Sequence, residues 1–282
     1  MTASANPPAA GRGERGVDKY FTTDGVHLRY RDEGRGPAVV LLVHGWTLDL
    51  EMWEPQVLGL CDAFRVVRLD RRGFGSSSGQ PSVALDVADI RSLCEHLAVE
   101  RVALVGMSQG ARAVTGFALA SPQRISCLIL DGPPDYGRKP SPADDDVPLS
   151  HYRTLVRTQG LTAFRREWAR HPLLSLRTRD PRMREILSAM IERYPGTDLV
   201  EPAEARDVPS AGPLIGAFDV PMLVITGDHD LPSRTLAADN LAKQSPGAER
   251  AMIPAAGHLS NLDNPKAYNA VVRAFLERHA GT

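Results

Sequence analysis

The chain has 282 residues, a formal net charge of −1, 43% hydrophobic and 24% charged residues. Those numbers suit one large α/β domain, or a domain with an insertion, and they give no basic surface for nucleic acid or for an anionic membrane. No run of ~18 apolar residues is present to cross a membrane. Three cysteines, Cys61, Cys94 and Cys127, sit far apart in apolar segments. An odd count with wide spacing reads as small core residues in a reducing compartment, not as a disulfide or metal framework.

Residues 1–16 are rich in Ala, Pro and Gly and lack an apolar core, so they read as a disordered tail and not as a secretory leader. A cytoplasmic protein is the default expectation. The next signal is a hairpin: Tyr20–Thr23 and Val26–Arg31 flank Asp24-Gly25, a dipeptide suited to a primed turn. Ala38–Val43 is a continuous apolar run for a strand buried on both faces, and it ends in His44-Gly45-Trp46. Glu51–Ala63 reads as a helix and Arg65–Asp70 as a strand.

The following Gly-rich loop, Arg71–Ser76, lacks the third glycine of a dinucleotide fingerprint, since position 78 is Ser78, and it follows too late a strand. No cofactor is expected. Over Pro81–Val99, apolar residues at Val83, Val87, Ile90, Cys94 and Leu97 mark one helical face.

Arg101–Val105 is a short apolar run, and Ala111–Ala120 reads as a helix. Between them stands Gly106-Met107-Ser108-Gln109-Gly110. A strand turning straight into a helix leaves little room for side chains, and two glycines relieve that crowding. The turn presents Ser108 at its apex and points backbone N–H groups at whatever the hydroxyl attacks. Ile125–Leu130 is a further buried strand, ending at Asp131-Gly132. This alternation predicts a parallel sheet with right-handed crossovers.

After Pro133 the rhythm stops. Residues 134–212 show no convincing strand but helical stretches over Tyr152–Arg170 and Pro181–Tyr194, and they read as a helical cap inserted between core segments 17–133 and 213–282. The Asp144–Asp146 run reads as a solvated loop and lacks the remaining ligands of a calcium loop. Strand Val220–Thr226, helix Ser233–Gln244, strand Ala248–Ile253 and helix Asn264–His279 close the chain.

A serine hydroxyl needs a base, and the base needs a carboxylate. Among eight histidines, His258 lies in the loop between the last strand and the last helix, on the sheet edge where the serine turn opens. Asp230, beyond strand Val220–Thr226, is the first choice of acid. Asp228 is the neighbouring choice and Asp131 the outside one. Asp228-His229-Asp230 does not read as a metal site, because consecutive side chains rarely converge on one ion. Backbone N–H groups of Gln109 and Trp46 are the expected oxyanion donors. His44 is expected to support its loop. Trp46 and Trp168 are candidate substrate-binding residues, with ordinary packing as the competing reading.

His44-Gly45-Trp46, Gly106–Gly110, Gly227–Asp230 and Gly257-His258-Leu259 resemble the four signatures of the α/β-hydrolase fold, in the order Ser, Asp, His. Leu69–Ser76 resembles the cofactor-free haloperoxidases and esterases, and Gly257–Pro265 resembles 3-oxoadipate enol-lactonases. The resemblance implies a mostly parallel central sheet flanked by helices, with a cap. It also implies a serine hydrolase that cleaves a small-molecule carboxylic ester or lactone through an acyl-enzyme. Perhydrolysis and C–C bond hydrolysis could use the same triad. A receptor-like member that binds a small molecule without turnover is the alternative of another class. Serine at position 108 excludes the dehalogenases and epoxide hydrolases of this fold, which carry aspartate there. Proline iminopeptidases show His-Gly-Gly-Pro-Gly at the oxyanion loop, and His44-Gly45-Trp46-Thr47 departs from it, which argues against an aminopeptidase.

Arg112 departs from the small residues common one turn past the nucleophile, and could tie the loop at Arg71 or touch substrate. Between Arg153 and Arg184 the chain carries nine arginines against Glu167 and Asp180. Such charge in a cap could steer a carboxylate-bearing substrate. The competing reading is a solvated face that balances Asp144–Asp146 and Glu201–Asp207.

Overall fold

A computed structural model describes residues 16–136, 147–200 and 219–281. The expected N-terminal tail, the Asp144–Asp146 run, the acidic Glu201–Asp207 stretch and the 212/213 cap boundary lie outside the described residues.

Eight strands form one sheet: β1 (Lys19–Thr23), β2 (Val26–Glu33), β3 (Val39–Val43), β4 (Arg65–Leu69), β5 (Val102–Met107), β6 (Ile125–Asp131), β7 (Met222–Gly227) and β8 (Glu249–Ile253). Their spatial order is β1-β2-β4-β3-β5-β6-β7-β8. β1 and β2 form a hairpin, with Asp24 (φ 48°) and Gly25 (φ 75°) both left-handed as a type I′ turn requires. β2 also runs antiparallel to β4, and every later pairing is parallel.

The central strands are apolar on both faces because both are covered. Val40 and Leu42 of β3 join one core, with Trp53, Val105 and Phe275. Leu41 and Val43 join the other, with Leu104, Val114 and Phe117. The helices that cover them are α1 (Glu54–Leu60), α2 (Val83–His96) and α3 (Gln109–Ala120), followed after the helical segment by α8 (Pro232–Gln244), α9 (Ser260–Asp263) and α10 (Pro265–His279). α1 and α10 pack on the first face, and α2, α3 and α8 on the second.

Between β6 and β7 the described residues contain helices and no strand: α4 (Leu149–Gln159), α5 (Leu161–Trp168), α6 (Pro181–Arg193) and α7 (Thr197–Val200). Several element boundaries differ from the sequence reading, each for a local reason. The expected helix over 152–170 breaks at Gly160, whose φ of 82° ends α4 and starts α5 in a new direction. The expected helix over 51–63 is a 3-10 turn, Leu50–Trp53, capped by Asp49, followed by a two-turn helix with Pro55 at its start. β5 begins one residue later than expected and runs on through Gly106 and Met107, so only Ser108 separates it from α3. Cys94 and Cys127 are buried, whereas Cys61 is only partly so, and none is bridged.

Candidate active site

The parallel register aligns the carboxyl ends of the strands. Val43 pairs with Gly106, Met107 with Asp131, and Gly227 with Ile253. The loops that carry His44–Thr47, Ser108, Gly132, Asp228–Asp230 and Pro254–His258 therefore open along one edge of the sheet, where ligand sites form in such folds.

Ser108 is held in a left-handed conformation, φ 51° and ψ −114°. For a non-glycine residue that costs roughly 1–3 kcal/mol, and persists only where the surroundings over-determine it. Those surroundings are visible. The Ser108 N–H donates to the Asp131 carbonyl at 2.8 Å, and its own carbonyl accepts from Ala111 N at 3.0 Å. A Cβ on Gly106 would stand 2.4 Å from Val114 Cγ2, and one on Gly110 would stand 2.4 Å from the carbonyl oxygens of Val43 and His44. The two flanking glycines thus let β5, α3 and the β3 loop close around the turn.

Ser108 and His258 line one small pocket. Behind the imidazole, Nδ1 donates to both carboxylate oxygens of Asp230, at 3.0 and 3.1 Å. Both side chains are almost wholly buried, and Asp230 Oδ1 also accepts from Leu231 N at 2.7 Å. Gly132 (φ 52°) makes room for the ring, since a Cβ there would stand 2.6 Å from His258 Cε1. The other two candidate acids face elsewhere. Asp228 accepts the N–H groups of Ala255 and Ala256, at 3.0 Å each, and so fixes the start of the His258 loop. Asp131 is fully buried and accepts from Ser260 Oγ at 3.0 Å. Burial and the neighbouring Asp230 push the Asp131 carboxyl up to about 8, against the lowering effect of Ser260 and Tyr268. Among the described residues no three His, Cys, Asp or Glu side chains gather as metal ligands, and Asp228 and Asp230 diverge onto different partners.

The other side of the pocket is built from the β3 loop. A Cβ on Gly45 would stand 2.8 Å from Met107 Sδ and 3.4 Å from Ser108 Cβ, so the loop passes directly over the serine. Trp46 follows and lines the pocket. Gln109, as the first residue of α3, has a backbone N–H with no intrahelical acceptor. His44 stays out of the pocket: its Nδ1 donates to Gly45 O at 2.7 Å and its Nε2 accepts from Arg71 N at 2.9 Å. Burial and the Arg71 charge lower its pKa to about 3, so it is neutral and holds the loop.

Arg71 was not singled out as a positioning residue by the sequence reading. Its guanidinium is fully buried, donates twice to Asp86 Oδ2 at 2.9 and 2.6 Å, and reaches Gln109 Oε1 at 2.8 Å. Arg72 pairs likewise with Asp89, at 2.9 and 2.7 Å. The sequence signal for both pairs is two adjacent arginines followed by two aspartates, Asp86 and Asp89, on one face of α2. Arg112 is not among the residues that line the Ser108 pocket: its Nη2 donates to the Asp135 carbonyl at 3.4 Å, and it lies over the Tyr136 ring.

Trp46 of the β3 loop and Trp168 of α5 meet at the pocket, with ring centroids 4.9 Å apart. Each indole is fixed by its N–H, Trp46 to Asp198 Oδ2 at 2.6 Å and Trp168 to Thr47 Oγ1 at 2.7 Å. The Tyr194 hydroxyl donates to the other oxygen of Asp198. Both tryptophans are therefore pocket wall and packed core at once. Of the nine arginines, Arg182 pairs with Glu54, while Arg165 and Arg184 donate to the carbonyls of Tyr194 and Thr178, at 2.7 Å each. A tenth, Arg193, sits bidentate on Asp49 at 2.5 and 2.9 Å and ties α6 to the β3 loop.

The family model for the alpha/beta hydrolase fold matches residues 38–265, from β3 to the start of the last helix. The chain belongs to the alpha/beta hydrolase fold family. A protein assigned as a non-heme chloroperoxidase from Synechocystis is 31% identical over 269 residues, 89% of this chain and 95% of that protein. The 3-oxoadipate enol-lactonase 2 of Acinetobacter baylyi is 25% identical over 263 residues, 92% and 96% of the two chains. In structure, a thermophilic esterase from Thermogutta terrifontis superimposes with a TM-score of 0.77 at 28% identity, over 94% of this chain and 99% of its own. The family and these relatives support a hydrolase. Among the described residues no helix is long and apolar enough to cross a membrane.

Proposed function

We propose that the protein is a serine hydrolase of small-molecule carboxylic esters or lactones. Ser108 attacks the acyl carbon and passes its proton to His258 Nε2, while Asp230 holds the imidazole by Nδ1 and stabilises the imidazolium that forms. The N–H groups of Gln109 and Trp46 receive the oxyanion. His258 then protonates the leaving oxygen, and a water activated by the same imidazole releases the acid and regenerates the serine. No cofactor enters any step. Residues 134–212 act as a cap over core segments 17–133 and 213–282, and the unbridged cysteines fit a cytoplasmic enzyme.

The observation that carries this reading is the meeting of Ser108 and His258 in one pocket, with Asp230 behind the ring. The pocket holds about 30 Å³, which is room for about two or three water-sized spheres. Its small size favours a short acyl or alkyl group. A panel of p-nitrophenyl esters and lactones tests the proposal, with short acyl chains hydrolysed fastest and Ser108→Ala inactive. An enzyme whose turnover survives Ser108→Ala contradicts it. The chloroperoxidase relative favours a second use of the same acyl-enzyme. Hydrogen peroxide in place of water would attack it, break the bond to Ser108 Oγ and leave as a peracid.

A further inference from the structure

A second and larger cavity, of about 660 Å³, opens in the helical segment between α5, α6 and the strap that joins them. Its size is that of a small-molecule site. Its floor is apolar, from Leu174, Leu176, Leu187 and Ile191, and three guanidiniums stand around it: Arg165, Arg166 and Arg184. Glu192 is the only carboxylate in the lining among the described residues. The bonds these arginines make do not cancel their charge, because Arg165 and Arg184 donate to neutral carbonyls. Arg165 Nε is buried with no partner among the described residues. Arg166 makes no hydrogen bond or ion pair among them, although it lines the cavity. Positive charge beside a leucine floor asks for an anion attached to a hydrocarbon chain.

Leu174 lines both this cavity and the Ser108 pocket. The strap behind it is fixed to the His258 loop. Asp263 Oδ1 accepts from Arg177 N and Thr178 N, at 2.6 and 2.9 Å, and its Oδ2 accepts from Gly257 N at 2.8 Å. Leu174 is thus common to the small Ser108 pocket and to the larger arginine-lined groove.

We propose that this groove holds the anionic end of the substrate, so that the enzyme acts on an ester with a short group on one side of the scissile bond and a carboxylate-terminated chain on the other. This rests on the serine-hydrolase reading for the reaction but not for the binding. Calorimetric titration with octanoate and with octanamide, its neutral counterpart, separates the two. The carboxylate is expected to bind the wild type at least tenfold tighter than the amide. That preference should fall away in Arg166→Gln and in Arg184→Gln, and octanoate should compete with ester substrate, raising KM without lowering kcat. Arg166 is exposed and makes no hydrogen bond or ion pair among the described residues, so its variant is expected to keep the fold. Equal binding of acid and amide, a carboxylate preference that survives both substitutions, or binding without competition would overturn the proposal. A protein that binds octanoate in this pattern but turns over no ester would keep the groove and sink the serine-hydrolase reading instead.

Discussion

His258 presents its Nδ1–H to both oxygens of Asp230, at 3.0 and 3.1 Å, in surroundings from which water is almost excluded. That pair fixes which ring nitrogen carries the proton, and leaves Nε2 as the one able to accept from Ser108. Asp230→Asn keeps the shape but favours the wrong tautomer. The expected result is a fall in kcat of about 10⁴-fold with little change in KM, read from steady-state hydrolysis of a short-chain ester.

Asp228 stands two residues away and does different work. It caps the Ala255 and Ala256 N–H groups. Asp228→Ala strips two backbone donors of a charged acceptor, which costs about 1–3 kcal/mol. Thermal unfolding should therefore register Asp228→Ala more strongly than Asp230→Asn, and turnover should rank them the other way.

Gly132 is the cradle of the imidazole. Gly132→Ala brings a methyl group to within 2.6 Å of His258 Cε1, at a backbone φ of 52°. The ring must move off the line between Asp230 and Ser108. We expect turnover to drop about a hundredfold, since a displacement near 1 Å costs that much, while the melting temperature falls by only a few degrees.

Asp131 gives the pH dependence. Its folded pKa, near 8, lies above the ordinary carboxylate value of 3.8. The folded state thus holds this proton more tightly than the unfolded chain does. The resulting stabilisation is complete below about pH 4 and is lost progressively as pH rises through about 8. Asp131→Asn retains an acceptor for Ser260 and removes the titration. The difference in unfolding free energy between wild type and variant should move in the variant's favour from pH 5 to pH 8, followed by denaturant titration at each pH. A difference flat across that window contradicts the assignment.

Arg71 ties the oxyanion side together. Arg71→Leu leaves Asp86 buried without its cation, a loss of about 3–5 kcal/mol. It also frees the Gln109 side chain at the start of α3. Chemical denaturation should show that loss, and Arg72→Leu, which frees Asp89 but not Gln109, should affect turnover less.

Much of this was legible in the chain. Apolar runs such as Val39–Val43 and Val102–Met107 mark strands buried on both faces, Asp24-Gly25 marks the hairpin, and Gly106 with Gly110 brackets the serine because both needs are local. The helix expected over 152–170 was misjudged for a local reason too: Gly160 stood in plain view inside an otherwise helical pattern. What the sequence could not disclose are contacts between residues far apart along the chain. Trp46 meets Asp198 across 152 residues and Trp168 meets Thr47 across 121, and no periodicity encodes either. Gly132 offered no motif, since its requirement comes from a ring 126 positions later. The arginine count between 153 and 184 was visible, but only packing tells which guanidiniums end on carbonyls and which surround a cavity.

The most direct measurement is reaction with a fluorophosphonate followed by peptide mapping. The account predicts one phosphonyl group per chain, attached to Ser108, absent in Ser108→Ala and greatly slowed in His258→Ala. A wild-type protein that takes up no label, or takes it up on another residue, would contradict it.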